Sequence, residues 1–123
     1  MKVFIVDDSA VVRERLIGMI TELPEIEVAG QAHNAQDAIQ SIRKLKPDVV
    51  ILDIRMPGGN GIEVLKDIKK DKPAPLIIIL TNYPYPQYRK KCMEGGADYF
   101  FDKSTEFEKV IEVLKKLIEE SKA

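Results

Sequence analysis

Five short apolar runs alternate with five stretches of helical periodicity, and that alternation constrains the fold more than any other feature. The runs are Val3–Val6, a weaker one near Ile26–Ala29, Val49–Leu52, Leu76–Leu80 and Tyr99–Phe101. The third and fourth are unbroken Val/Ile/Leu sequence, the pattern of strands covered on both faces. Strict alternation with short connections predicts a parallel sheet built from right-handed crossovers, with helices on both sides. The shorter, less apolar second run predicts a strand near an edge.

Between the runs, apolar residues recur at helical spacing. Val12, Leu16, Met19, Ile20 and Leu23 share one face, with Ser9 as cap and Pro24 as stop. Asn34 opens a second helix with Ala35, Ala38, Ile39, Ile42 and Leu45 inward, closed by Pro47. A loop containing Pro57, Gly58, Gly59 and Gly61 leads to a third helix carrying Ile62, Leu65 and Ile68. The fourth begins near Pro86, places only Tyr85, Tyr88 and Cys92 on one face, and ends at Gly95 and Gly96. Thr105-Glu106-Phe107-Glu108 has capping-box spacing ahead of a last helix that buries Phe107, Val110, Ile111, Leu114, Leu117 and Ile118. Val113 reads as lying off that stripe, a point of surface contact.

Length sets the scale: 123 residues make one domain, spanning 1–123. Such a chain buries roughly two-thirds of the surface its unfolded form exposes, so it needs no disulfide or metal to fold. Cys92 is the only cysteine, which excludes an internal disulfide, fits a reducing compartment and reads as buried filler. The apolar runs fall far short of the ~20 residues of a membrane helix. The N-terminus enters an apolar strand directly after Lys2 without signal-peptide features. The expected location is the cytoplasm. Lys and Arg number 19 against 20 Asp and Glu, a net charge of −1, which argues against direct nucleic-acid binding. Gly58-Gly59-Asn60-Gly61 lacks the Lys-Ser/Thr ending of a phosphate-binding loop, and His33 has no partner that would make it a ligand or phosphotransfer residue.

The chemistry-bearing residues fall where the apolar runs stop. Val3–Val6 runs into Asp7-Asp8, Val49–Leu52 into Asp53, Leu76–Leu80 into Thr81, and Lys103 follows Tyr99–Phe101 by two positions. In open parallel sheets, ligands bind along the carboxyl ends of the strands. Three carboxylates, a hydroxyl and an ammonium would converge there, a set suited to a hard divalent cation and a phosphoryl group. Each alone has a plainer reading. One acid of the pair could cap a helix, Thr81 could be an ordinary strand residue, and Lys103 an ordinary surface lysine. Four matches at once make coincidence a poor account.

The chain resembles receiver domains of two-component response regulators along its whole length. The residues that carry the likeness are Val6-Asp7-Asp8-Ser9, Pro47 through Pro57 with Gly61, Leu80-Thr81, Gly96-Ala97-Asp98 and Lys103. The resemblance implies a flavodoxin-like α/β fold, (βα)5 and doubly wound, with a five-stranded parallel sheet in the order 2-1-3-4-5. It implies that Asp53 is the phosphoacceptor, served by Thr81 and Lys103. It implies a Mg2+ (or Mn2+) site made by Asp7, Asp8, Asp53 and the backbone carbonyl of Arg55. Thr81 and Phe100 stand at the family's switch positions, although Phe100 also reads as plain core. Arg55 and Tyr83, two residues beyond Asp53 and Thr81, flank the expected phosphoryl group and would tune its lifetime. The implied partners are a sensor histidine kinase or histidine phosphotransfer protein, with an output domain or a homodimer engaging helix four, strand five and helix five near Tyr88, Tyr99 and Val113.

Two features depart from the family pattern. Ser104 follows Lys103 where many members carry proline, and a cis peptide is far less favourable before serine. The loop Asn82-Tyr83-Pro84-Tyr85-Pro86 is bulkier than usual after the threonine. A magnesium-dependent phosphatase on the same fold would carry a second acid two residues after the nucleophile, and Arg55 stands there instead. The reading is therefore a switch that modifies itself, not an enzyme acting on an independent substrate. A receiver that binds partners without being phosphorylated is the remaining alternative, and the complete acidic set speaks against it.

Overall fold

Successive residues along the central strands point to opposite faces of one sheet, and each face is sealed by its own helical layer. The computed structural model describes residues 1–122; Ala123, the last residue of the expected domain, lies outside the described residues. The elements are β1 (Lys2–Val6), α1 (Ala10–Ile20), β2 (Glu27–Ala32), α2 (Ala35–Leu45), β3 (Val49–Leu52), β4 (Arg55–Met56), β5 (Gly59–Asn60), α3 (Gly61–Ile68), β6 (Leu76–Thr81), α4 (Pro86–Glu94), β7 (Tyr99–Asp102) and α5 (Lys109–Lys122). The main sheet is parallel throughout, in the order β2-β1-β3-β6-β7. With the separate β4–β5 ribbon left out of the count, this is the flavodoxin-like order 2-1-3-4-5.

Phe4, Val6, Val50, Leu52, Ile77, Ile79 and Phe100 pack against α2, α3 and α4. Val3, Ile5, Val49, Ile51, Ile78 and Leu80 pack against α1 and α5, with Tyr99 and Phe101 partly buried beside them. The strict alternation of these two sets explains why the middle strands read as unbroken apolar sequence. Ser9 caps α1 by accepting the Val12 N–H, and Asn34 caps α2 by accepting the Asp37 N–H.

Several expectations need correction. The second strand runs from Glu27 to Ala32, three residues past Ala29. Gly30 and Gln31 are poor strand formers, but β1 needs backbone partners along its length. A side chain at position 30 would press on the Phe4 ring, so glycine is what lets β2 stay paired there. The capping box at Thr105 is not used. α5 starts at Lys109, and Glu106 instead accepts the Asp102 N–H at 3.1 Å. Phe107 is buried but precedes the helix, with the Arg15 guanidinium 3.9 Å from its ring centre. Val113 is not a surface contact: it is 7% exposed and lies in the core, because positions 110, 113, 114 and 118 form the face that meets the sheet. Leu45 is more exposed than its stripe suggested, and Tyr85 is half exposed. The Gly-rich loop contains a two-residue antiparallel ribbon that periodicity could not reveal, and Asn60 at its end caps α3 by accepting the Glu63 N–H.

Candidate functional site

The carboxyl ends of β1, β3, β6 and β7 meet at one edge of the sheet, and the register of the strands decides which side chains face each other there. Val6 pairs with Leu52, so Asp7 and Asp53 leave adjacent strand ends side by side. Carboxylate oxygens of Asp7, Asp8 and Asp53 all lie within 4.8 Å of one another. Asp7 and Asp53 are buried, at 2% and 5% exposure, while Asp8 faces solvent. Two buried carboxylates this close would be costly without a cation.

Lys103 is that cation. Its Nζ lies 2.6 Å from Asp7 Oδ2 and 2.9 Å from Asp53 Oδ2. The Lys103–Ser104 peptide is trans, so the departure from proline does not stop the lysine from reaching the cleft. Asp53 Oδ1 also accepts the Ile54 N–H at 2.7 Å, and Asp7 Oδ1 accepts the Ser9 N–H at 2.9 Å. Burial raises the Asp7 pKa above its ordinary value even though the Lys103 and Ser9 bonds pull the other way. Burial alone would lower the Lys103 pKa; its bonds to Asp7 and Asp53 outweigh that and hold it above the ordinary lysine value.

Thr81 is fully buried at the end of β6, and its Oγ1 accepts the Tyr83 N–H at 3.0 Å. That bond uses an acceptor site and leaves the hydroxyl proton available for donation. The Tyr83 ring lies under the Arg55 guanidinium, 4.1 Å from its centre. Thus the two residues expected to flank the phosphoryl group touch each other. The Tyr88 hydroxyl, on α4, is the main group raising the Arg55 pKa, ahead of Tyr83. Phe100 is buried among the α2–α4 layer, with the Arg89 guanidinium 5.5 Å from its ring centre. Tyr99 and Phe101 stack on the opposite face.

The loop after β3 is held close to this edge. The Gly61 N–H donates to the Ile54 carbonyl, and a Cβ on residue 61 would collide with the Asp53 backbone carbonyl. Only glycine permits α3 to start so near the acid.

The structure therefore brings together Asp7, Asp8, Asp53 and Lys103, sets Thr81 at the end of the next strand, and pairs Arg55 with Tyr83. Sequence reading missed Arg13, whose Nη1 donates to the Asp7 carbonyl at 2.6 Å while its Nε holds Gln31. It also missed Arg89 and the Asp102–Glu106 contact. A lone arginine on an exposed helix face carries no sequence signal for such a role.

The chain matches the response regulator receiver domain family over residues 3–115. It is 40% identical to protein-glutamate methylesterase/protein-glutamine glutaminase 1 of Carboxydothermus hydrogenoformans over 95% of this chain and 35% of that protein. Thus it spans about a third of that relative's length. Among solved structures it is similar to the response regulator domain of Thermotoga maritima CheB, with a TM-score of 0.84, 34% identity, and coverage of 97% of this chain and 94% of that one. It is also similar to a chain of the CheX-CheY-BeF3-Mg+2 complex from Borrelia burgdorferi, with a TM-score of 0.85, 26% identity, and coverage of 96% and 89%. Family, fold and the acidic edge of the sheet agree, and the chain belongs to the receiver domains of two-component response regulators, the phosphorylation-dependent switches of that signalling system.

Proposed function

We propose that Asp53 is the residue phosphorylated in this receiver and that residues 1–123 act as one self-modifying switch. The observation that carries the reading is the buried Asp53 carboxylate, paired with Lys103 beside two further acids at the ligand-binding edge of the sheet. An Asp53 oxygen forms the new O–P bond as the P–N bond to a donor imidazole breaks, and the electron pair stays on the imidazole. A sensor histidine kinase or histidine phosphotransfer protein supplies that donor. Lys103 offsets charge on the phosphoryl oxygens, and the Thr81 hydroxyl donates to one of them.

Three carboxylates outnumber the one ammonium that reaches two of them, Asp7 and Asp53, so the cluster retains negative charge for a divalent cation. All its side-chain donors are hard oxygens, which fits Mg2+ or Mn2+. Asp7, Asp8, Asp53 and the Arg55 carbonyl would hold the metal, which when bound would neutralise phosphoryl charge. A similar solved chain belongs to a complex that contains BeF3 and Mg+2, which supports Mg2+ as the ion. Asp8→Ala should weaken Mg2+ binding at least about tenfold, since a direct charged ligand is lost. Asn60→Ala should leave it unchanged while lowering stability by about 1 kcal/mol through loss of the α3 cap. Isothermal titration with MgCl2 and a urea melt of both variants check this; equal metal affinities would place the metal elsewhere.

The deciding experiment is incubation with acetyl phosphate and MgCl2, followed by intact mass. One phosphate per chain is expected. Steady release of free phosphate over many turnovers would point to an independent phosphatase, and no adduct to a receiver that works unphosphorylated.

Arg55 and Tyr83 set the lifetime of the adduct. Their stacked side chains stand over the loop next to Thr81, where they can obstruct an attacking water. Tyr83→Ala should change the dephosphorylation rate about threefold or more with little change in the unfolding midpoint, as expected of a partly exposed side chain packed on an exposed arginine. Equal lifetimes in the wild type, Tyr83→Ala and Arg55→Ala proteins would sink this role.

Phosphorylation draws on Thr81, the last residue of β6, which leads to α4, and on Lys103, which directly follows β7, the strand that carries Phe100. The output surface is α4, β7 and α5, with Tyr88 and Tyr99 on it and buried Val113 excluded. It serves an output domain or a second copy of the chain. The domain itself binds neither nucleic acid nor membrane in this reading and works in the cytoplasm; no described helix is long and apolar enough to cross a membrane.

A further inference from the structure

We propose that Asp102 is a positioning residue for Lys103, acting with Ser104 and Glu106 as a turn that does the work of the proline many family members carry after the lysine. This rests on the assignment of Lys103 to the phosphoryl site. The backbone N–H groups of Asp102, Lys103, Ser104 and Glu106 are all tied down. The Lys103 N–H donates to the Thr81 carbonyl at 2.8 Å. The Asp102 N–H donates to Glu106 Oε1 at 3.1 Å, and the Glu106 N–H returns to the Asp102 carbonyl at 2.8 Å. Asp102 Oδ1 accepts both the Ser104 N–H at 2.9 Å and the Ser104 hydroxyl at 2.6 Å. Lys109 Nζ holds the other oxygen of Glu106 at 2.8 Å.

A side-chain oxygen bonded to the N–H two residues on reverses the chain direction sharply. Here the reversal is centred on Lys103. It ends β7 and lets the lysine side chain run back into the cleft, where it is only 7% exposed. Proline after the lysine would enforce a turn by locking a dihedral; serine cannot. Asp102 and Ser104 supply the constraint by hydrogen bonds instead, and Glu106 fastens the strand end. Among the described residues Asp102 makes no hydrogen bond or ion pair with Asp7, Asp8 or Asp53, so its influence on the reaction passes through the placement of Lys103.

Five proteins separate positioning from a general structural role: the wild type, Asp102→Ala, Asp102→Asn, Lys103→Ala and Asp102→Ala combined with Lys103→Ala. At saturating MgCl2, Asp102→Ala should slow phosphorylation by acetyl phosphate about tenfold, the scale of a modest misplacement of a reacting-site group. Asp102→Asn keeps the acceptor oxygen and should restore the rate to within about twofold, and in the Lys103→Ala background Asp102→Ala should slow nothing further, since coupled residues are not additive. Brief reductive methylation read by peptide mass gives a second measure that needs no phosphorylation: Lys103 should be labelled several times faster in Asp102→Ala. If Asp102→Ala fails to fold, Glu106→Ala carries the same two expectations. Wild-type rate and wild-type labelling in the alanine variant overturn the proposal, as does equal slowing with and without Lys103. A wild-type protein that takes no phosphate overturns the site assignment instead, and the labelling result then still decides whether Asp102 holds the lysine.

Discussion

Asp53→Asn will take up no phosphate from acetyl phosphate while keeping the fold. The amide has nearly the same shape, and its Oδ1 still accepts the Ile54 N–H that the acid accepts at 2.7 Å. Lys103 keeps its shorter contact to Asp7, at 2.6 Å, so the buried ammonium is not left alone. What disappears is the anionic oxygen proposed to attack phosphorus, and an amide oxygen is too weak a nucleophile to replace it. Intact mass after an hour with acetyl phosphate and MgCl2 measures the loss, and far-ultraviolet circular dichroism measures the fold. A single adduct at the wild-type rate in this variant would remove Asp53 from the reaction and require another acceptor. Mapping the adduct by peptide mass would identify it.

Lys103→Met will combine a catalytic defect with a pH-dependent loss of stability. Removing one partner from a buried ionic cluster leaves uncompensated charge, a cost of roughly 3 kcal/mol. Phosphoryl uptake should also slow by about two orders of magnitude, the usual cost of losing a preorganised charged donor. The pH dependence follows from the proton balance. Asp7 already has a raised pKa from burial, and Lys103 is the main group opposing that rise. Without the ammonium, the carboxyl rises further, so the folded variant binds a proton more readily than the unfolded chain does. Its stability must therefore increase as pH falls through that raised pKa, and its deficit is greatest above it. In the wild type, the raised Lys103 pKa adds stability that is fully present below the ordinary lysine value and lost as pH climbs through the folded one. Urea melts of both proteins at pH 7.5 and pH 5 test this. A deficit of the same size at both values would mean that Lys103 contributes through packing and not through its charge.

Some of this chemistry is legible in the sequence itself. The positions where Val6, Leu52 and Leu80 give way to Asp7, Asp53 and Thr81 mark strand ends, because a charged or polar group after an apolar run has to leave the core. Parallel alternation then places all those ends on one edge. Helix faces with strong periodicity were equally plain: Ala35, Ala38 and Ile42 are buried as their spacing requires. The weak fourth helix was readable only as weak, and it buries a single residue, Cys92, whose thiol burial pushes up to about 11. Such a thiol is no nucleophile at neutral pH.

Misreadings cluster where local pattern and tertiary demand part company. The periodicity of α5 admits a stripe through Ile111 that leaves Val113 at the surface, and only the seating of α5 on the sheet chooses between them. The Thr105 capping box is a correct local motif that goes unused, because the chain from Asp102 to Glu106 is held in a turn and α5 starts only at Lys109. The β2 boundary depended on the needs of β1, not on Gly30 and Gln31 themselves.

Sequence alone determined the alternating architecture, the parallel sheet and the edge at which three acids, a hydroxyl and an amine gather, because those follow from periodicity and from the cost of burying charge. Tertiary structure decided the rest: that Lys103 bridges Asp7 and Asp53 across the cleft, that Arg55 lies on Tyr83, and that Asp102 and Ser104 close a hydrogen-bonded turn after β7. Those contacts join residues 28 to 96 positions apart in some cases and two in others, and they depend on strand register and chain reversal, which no spacing rule encodes.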